Sequence, residues 1–250
     1  MRHLIRFAGA CTLTFSMAAP AAAQSVSPPV RTAAACAAHA LATPVPVDAL
    51  RLVGAQDSVW RELFGTGELV VVAGGQARGV QLAQQFFVRR PPAQGRSAGR
   101  GLRAVTTAGW VRVVAVNDTT AIAIVEYACD GLLAGDYLEP YVAPVVPPDA
   151  ERTDTSGEPD FSMPGRVLFG DNERSAGATG DFMVTDVGGT RGAAPGVRFA
   201  LYRNVGVAGL PLAAVGEAVV VFADPETSVV RLTRTRDAIY TGDLVIPRRP

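Results

Sequence analysis

Apolar positions along the chain fall in short runs rich in β-branched and aromatic residues, separated by Gly, Pro, Asn and Asp. That pattern predicts strands rather than helices. Residues 69–72 (LVVV), 86–88 (FFV), 182–185 (FMVT) and 199–201 (FAL) are such runs. A longer pair, 110–116 and 121–127, flanks Asn117-Asp118-Thr119-Thr120. Turn formers between two β-rich runs predict a hairpin. Residues 218–223 and 228–233 repeat that design around Asp224-Pro225-Glu226. No amphipathic helix of any length is visible.

The runs belong to an internal repeat. Residues 66–90 align without a gap on 179–203, at the offset that carries Thr66 to Thr179. Thr66, Gly67, Val71, Gly75, Arg78, Gly79, Phe86 and Arg90 meet Thr179, Gly180, Val184, Gly188, Arg191, Gly192, Phe199 and Arg203. A second block aligns at the offset that carries Gly109 to Gly216. There Val113, Val114, Thr120, Asp130, Gly135, Asp136 and Pro140 meet Val220, Val221, Thr227, Asp237, Gly242, Asp243 and Pro247. Both units open on a similar short strand, Leu52-Val53-Gly54 against Leu168-Phe169-Gly170. Several short strands in so few residues predict a small antiparallel barrel. The expected fold is therefore all-β, with two tandem antiparallel β-barrel modules of the SH3/OB-like kind, at 48–140 and 166–247. An Ala/Pro-rich arm at 24–47 precedes them. A Pro-rich, acidic linker at 141–165 joins them and is expected to be extended and mobile.

Residues 1–23 read as a secretory leader, with Arg2, His3 and Arg6 ahead of a short apolar stretch and Ala21-Ala22-Ala23 at the cleavage site. The apolar stretch is too short to span a bilayer, and no later segment approaches the 18 uncharged apolar residues of a transmembrane helix. The expected location is the periplasm or cell envelope. Cleavage leaves Cys36 and Cys129, which in an oxidising compartment predict one disulfide between the arm and module 1. Two free thiols, or a reactive Cys36 with His39 three residues on, are the alternatives.

Composition limits the chemistry. All 23 basic residues are Arg, balanced by 23 acidic ones. Without Lys there is no Walker A loop, Schiff-base chemistry or Ser–Lys dyad. Two His build no His-rich metal site, so no metal or cofactor is expected. The balanced charge argues against nucleic acid as a partner. The Gly-rich stretches 74–79 and 188–192 lack phosphate-loop spacing and recur at one topological place, so they read as turns needing positive φ. Asp130 and Asp136, repeated as Asp237 and Asp243, could do paired-carboxylate chemistry, but their place beside turn glycines reads as turn capping. Trp110 reads as core. Trp60, Tyr137 and Tyr141 are candidate sugar-stacking aromatics. His39 is the one imidazole left after cleavage, and the arm offers it no evident scaffold. Arg89, Arg90, Arg96, Arg100 and Arg103 fall in an acid-free stretch with two Pro and three Gly, a flexible loop that could grip phosphate or carboxylate groups. The linker is its opposite, with five acids and one Arg.

The second unit resembles a β-rich module of exported bacterial proteins. The carriers are GDFMV at 180–184, GAAPGVRFALYR at 192–203, GEAVV at 216–220 and GDLV at 242–245. It is similar to the C-terminal domain of flagellar assembly protein T and to modules that follow LysM repeats in cell-wall-associated proteins. Module 1 matches less well, with Leu82-Ala83 where module 2 has Pro195-Gly196. The resemblance implies fold and compartment more than activity. The expected function is a non-enzymatic envelope role, binding or scaffolding towards peptidoglycan, another anionic envelope polymer or an envelope protein. An assembly subunit of an envelope machine, and a carboxylate-dependent glycan hydrolase, are the alternatives.

Overall fold

The computed structural model describes residues 29–41, 45, 47–57, 61–91 and 102–249. The leader and most of the Arg-rich stretch, Arg96 and Arg100 included, lie outside the described residues, as does Trp60. Among the described residues no helix is long and apolar enough to cross a membrane.

The arm forms a helix, α1 (Val30–Cys36), and a strand, β1 (His39–Leu41). Three consecutive alanines favour the helix, and Pro29 stands immediately before it. Module 1 follows with β2 (Leu52–Ala55), β3 (Leu69–Ala73), β4 (Gln85–Arg90), β5 (Arg103–Val116), β6 (Thr120–Ala128) and β7 (Tyr137–Pro140). Module 2 has β8 (Gly165–Gly170), β9 (Phe182–Thr185), β10 (Arg198–Arg203), β11 (Ala213–Ala223), β12 (Ser228–Thr235) and β13 (Leu244–Arg249). All pairings are antiparallel. Module 1 runs β2-β3-β6-β5-β4-β7 and module 2 runs β8-β9-β12-β11-β10-β13. Each strand thus has its counterpart six labels on. Module 2 closes as a barrel because β13 pairs with both β10 and β8. Module 1 closes more loosely, through an Arg51–Tyr137 bridge and backbone bonds such as Leu52 N to Asp136 O at 2.9 Å.

Inward positions alternate with outward ones, as the pleat demands. Phe86, Val88, Val111, Val113 and Val125 share the first core, with Phe64 and Leu132 from short flanking strands. Phe199, Leu201, Val220, Val230 and Val245 share the second. The repeated glycines are structural. Gly79 and Gly192 close equivalent 3₁₀ turns at φ 75° and 85°, where a Cβ would be strained. A Cβ on Gly109 would lie 2.2 Å from the Tyr127 carbonyl oxygen, and one on Gly216 2.7 Å from that of Arg234.

A third apolar cluster joins the parts. Ala34, Ala37 and Ala38 of the arm, with Leu102 and Ala104 of module 1, pack on Phe169, Phe182, Val184, Val221 and Val229 of module 2. The arm is therefore a structured element rather than a bare tether. β1 pairs with the start of β5, His39 opposite Val105, and Ala38 N donates to Asp171 Oδ1 at 2.8 Å. The linker also departs from the free connector its composition predicts. Glu158 and Pro159 pair with the end of β13, Ala150 is buried, and Arg198 donates to the Arg152 carbonyl at 2.9 Å. Its acids meet module 2 cations: Asp149 pairs with Arg198, Glu151 with Arg231 and Asp160 with Arg249. The strand pairing, the burial of Ala150 and the packing of Val146 on the shared apolar cluster order the linker, and the ion pairs add to them.

Candidate functional site

Strand alternation puts Phe87 and Arg89 of β4 on the outer face of the first barrel, since Phe86 and Val88 fill its core. Register then sets Tyr137 of β7 opposite Arg89 and Glu139 opposite Phe87. An outer face normally meets water. Here it is covered: Arg89 is 3% and Tyr137 2% exposed. The cover comes from the arm and from the β11–β12 hairpin of module 2, and it is incomplete. A cavity of about 520 Å³ remains, lined by Phe87, Arg89, Leu102, Val105, Tyr137 and Glu139 of module 1, His39 of the arm, Val142 of the linker, and Phe222, Asp224 and Glu226 of module 2. Its size and largely apolar walls are those of a small-ligand pocket.

The polar groups inside are held rigidly. Arg89 donates from Nε to Glu139 Oε2 at 3.3 Å and from Nη1 to Thr107 Oγ1, and its guanidinium lies 4.3 Å from the Phe87 ring centroid. Thr107 Oγ1 in turn donates to the Ala37 carbonyl at 2.9 Å. Burial depresses the Arg89 pKa, while Glu139 opposes the shift. The Tyr137 hydroxyl is buried and faces Glu139, without a hydrogen bond of good geometry among the described residues. Burial, and then the Glu139 carboxylate, push its pKa up, so the phenol stays neutral. His39 contacts the Phe222 ring edge-on at 4.8 Å, and its Nδ1 lies 3.9 Å from Asp224 Oδ2. Burial, followed by the positive charge of Arg89, lowers its pKa to about 4 against the pull of Asp224. The imidazole is neutral at pH 7.

Of the five arginines expected to form one flexible anion-gripping loop, Arg96 and Arg100 lie outside the described residues, and the other three are strand residues. Arg89 and Arg90 belong to β4, and each directs donors to groups within the protein. Arg90 holds Asp136 through Nε at 2.9 Å and Nη2 at 2.7 Å, and also bonds the Gly131 carbonyl. Arg103 is exposed at the start of β5. The repeat explains Arg90: Arg203 grips Asp243 at the same distances and adds Asp237 at 2.7 Å. Asp136 Oδ2 and Asp243 Oδ2 also accept the backbone N–H of Leu133 and Tyr240, both at 2.8 Å. Asp136 and Asp243 are thus turn caps locked by an arginine, as the sequence suggests, whereas Asp130 only faces Arg90, 3.7 Å away and exposed.

Cys36 and Cys129 form the expected disulfide, with Cα atoms 5.6 Å apart. The bond occupies the thiol that could have served as a nucleophile beside His39. Trp110 departs from its core reading. It lies half-buried on the outer face, stacked on Tyr127 at 4.8 Å, with Tyr141 5.8 Å away and tilted. Tyr137 joins the cavity wall instead of that shelf. The arm also gives His39 the scaffold its sequence does not reveal. The missed signal was the polar outer-face pair Arg89 and Glu139 at strand positions that the arm would cover.

Comparison with known protein families and with curated proteins returns no match to the chain.

Proposed function

We propose that this is an exported, non-enzymatic binding protein of the cell envelope, whose cavity between the two barrels receives a group presented by an envelope polymer or protein. One observation carries the reading. The outer face of a small barrel keeps a buried guanidinium and a buried hydroxyl, which faces Glu139 without a well-formed hydrogen bond, in an open apolar pocket. An unsatisfied buried polar atom costs about 1–3 kcal/mol, a cost that a bound ligand relieves. The leader, the disulfide and the resemblance of module 2 to modules of exported envelope proteins support the compartment.

A photo-crosslinker in place of Val142, which is 58% exposed at the cavity, tests the proposal in intact cells. It captures an envelope component that the same reagent at exposed Val53, outside the cavity, does not. Equal capture from both positions, or none from either, overturns it.

A second reading, assembly within an envelope machine, is favoured by the β10–β11 loop. Val205, Val207 and Leu210 are exposed there, without a charged residue from 204 to 216. A crosslinker at Val207 that captures a protein, with none captured at Val142, selects that reading.

A further inference from the structure

Resting on the cavity as the binding site, we infer that its ligand is an organic cation: an ammonium or guanidinium group on a short apolar body. The charges that line the cavity are one guanidinium, Arg89, and three carboxylates, Glu139, Asp224 and Glu226. Arg89 is already engaged. Its Nε pairs with Glu139, its Nη1 with Thr107, and its face covers Phe87. Arg89 acts on both Glu139 and Asp224, and one guanidinium against three carboxylates leaves the described lining at 1 − 3 = −2. The one ion-pair distance that Asp224 makes among the described residues is to His39, at 3.9 Å. His39 is packed between Phe222 and Arg89, where a second positive charge is disfavoured. Glu226 is exposed at the rim with no ion pair among the described residues. Among the described residues, two carboxylates without a formal counter-charge thus stand at the mouth of an apolar cavity.

The remaining features fit the same ligand. The buried Tyr137 hydroxyl, which faces Glu139 as a donor, keeps lone pairs that can accept an N–H from the ligand. Leu102, Val105 and Phe222 offer walls to the apolar body, and an aromatic face adds about 0.5–2 kcal/mol for a nearby cation. An anionic ligand would bring its charge against Asp224 and Glu226, and Arg89, the one cation of the described lining, already has Nε on Glu139 and Nη1 on Thr107.

Three isosteric probes test the assignment by calorimetry at pH 7.5 with the full mature chain: 4-phenylbutylamine, 4-phenylbutanol and 4-phenylbutyrate. The amine is expected to bind at least tenfold tighter than the alcohol, and the carboxylate not measurably. Asp224→Asn should weaken the amine about tenfold and leave the alcohol unchanged. Glu226→Gln, on the exposed rim, should act the same way more weakly and needs no buried group to repack. Val142→Trp, which narrows the cavity, should abolish binding of all three. If the carboxylate or the alcohol binds as tightly as the amine, the cation assignment fails while the cavity stands as a site. If no probe binds yet the Val142 crosslinker still captures its component, the assignment again fails alone. If no probe binds and the crosslinker captures nothing, both readings fail.

Discussion

His39 has a side chain 12% exposed, between a guanidinium that repels its proton and a carboxylate that attracts it. Glu139 and Glu226 also line its cavity, and Tyr137 faces it from β7. Burial and Arg89 prevail, so the folded protein binds the proton only near pH 4, whereas the unfolded chain binds it near 6.5. Between those values the unfolded state holds more protons, and stability rises with pH. The contribution of His39 is therefore complete above pH 6.5 and is lost as pH falls towards 4. One pKa unit is about 1.4 kcal/mol, so the loss is on the order of 2–3 kcal/mol. Asp171, whose carboxyl burial pushes above its ordinary value, acts in the opposite sense. The measurement is therefore a difference. Thermal unfolding at pH 7.5 and 4.5 should show the parent protein losing several degrees more than His39→Phe. Equal losses would mean that His39 is already charged in the fold.

At the scale of the element, the Arg–Asp clamps join the end of β4 or β10 to the turn before β7 or β13. They are the most fully duplicated polar feature of the repeat. Asp136 is buried, and removing Arg90 would leave its carboxylate uncompensated. Breaking one partner of such a pair costs about 3–5 kcal/mol. Arg90→Met should thus destabilise strongly, and Arg90→Met with Asp136→Leu should recover much of the loss, because the double replacement leaves no buried charge. Denaturant unfolding of the three variants checks both steps; a double variant as unstable as the single one would assign the cost to packing rather than charge. These elements were legible. Arg90 and Arg203, and Asp136 and Asp243, align in the sequence because each module needs the same clamp, and Phe86 aligns with Phe199 because each fills a core. What the sequence concealed is which outer face would be covered. Phe87, Arg89, Tyr137 and Glu139 have no identical counterparts in module 2, whose Ala200, Tyr202, Leu244 and Ile246 stand at those places. Their burial depends on the arm and on the hairpin tip of the other barrel, and periodicity within one strand cannot report contacts so distant in the chain. The arm was hidden for a related reason. Its alanines carry little hydrophobic signal individually and become a core only against Phe169 and Phe182.

At the scale of the molecule, the cavity exists because three separately encoded parts are fixed against one another, and the Cys36–Cys129 bond holds the shortest of them, the arm. Seven residues of helix and three of strand are too short to hold their place by local structure alone. The disulfide closes a loop with a sequence separation of 93. In the chain-entropy account a loop of that size is worth about 4–5 kcal/mol. Since β1 forms one wall through His39, reduction should loosen the site before it unfolds the barrels. Neither core cluster contains an arm residue. Hydrogen exchange separates the two events. With Cys36→Ser and Cys129→Ser, the amide of Ala38, which donates to Asp171, should lose protection, as should the β1–β5 pairing. The amides of β11 and β12 should keep theirs. Binding at the cavity should fall in the same variant, to the extent that the arm opens. Uniform loss of protection would show that the arm is integral to the folding of both barrels. Unchanged protection would show that the alanine contacts with module 2 hold the arm without the covalent tie.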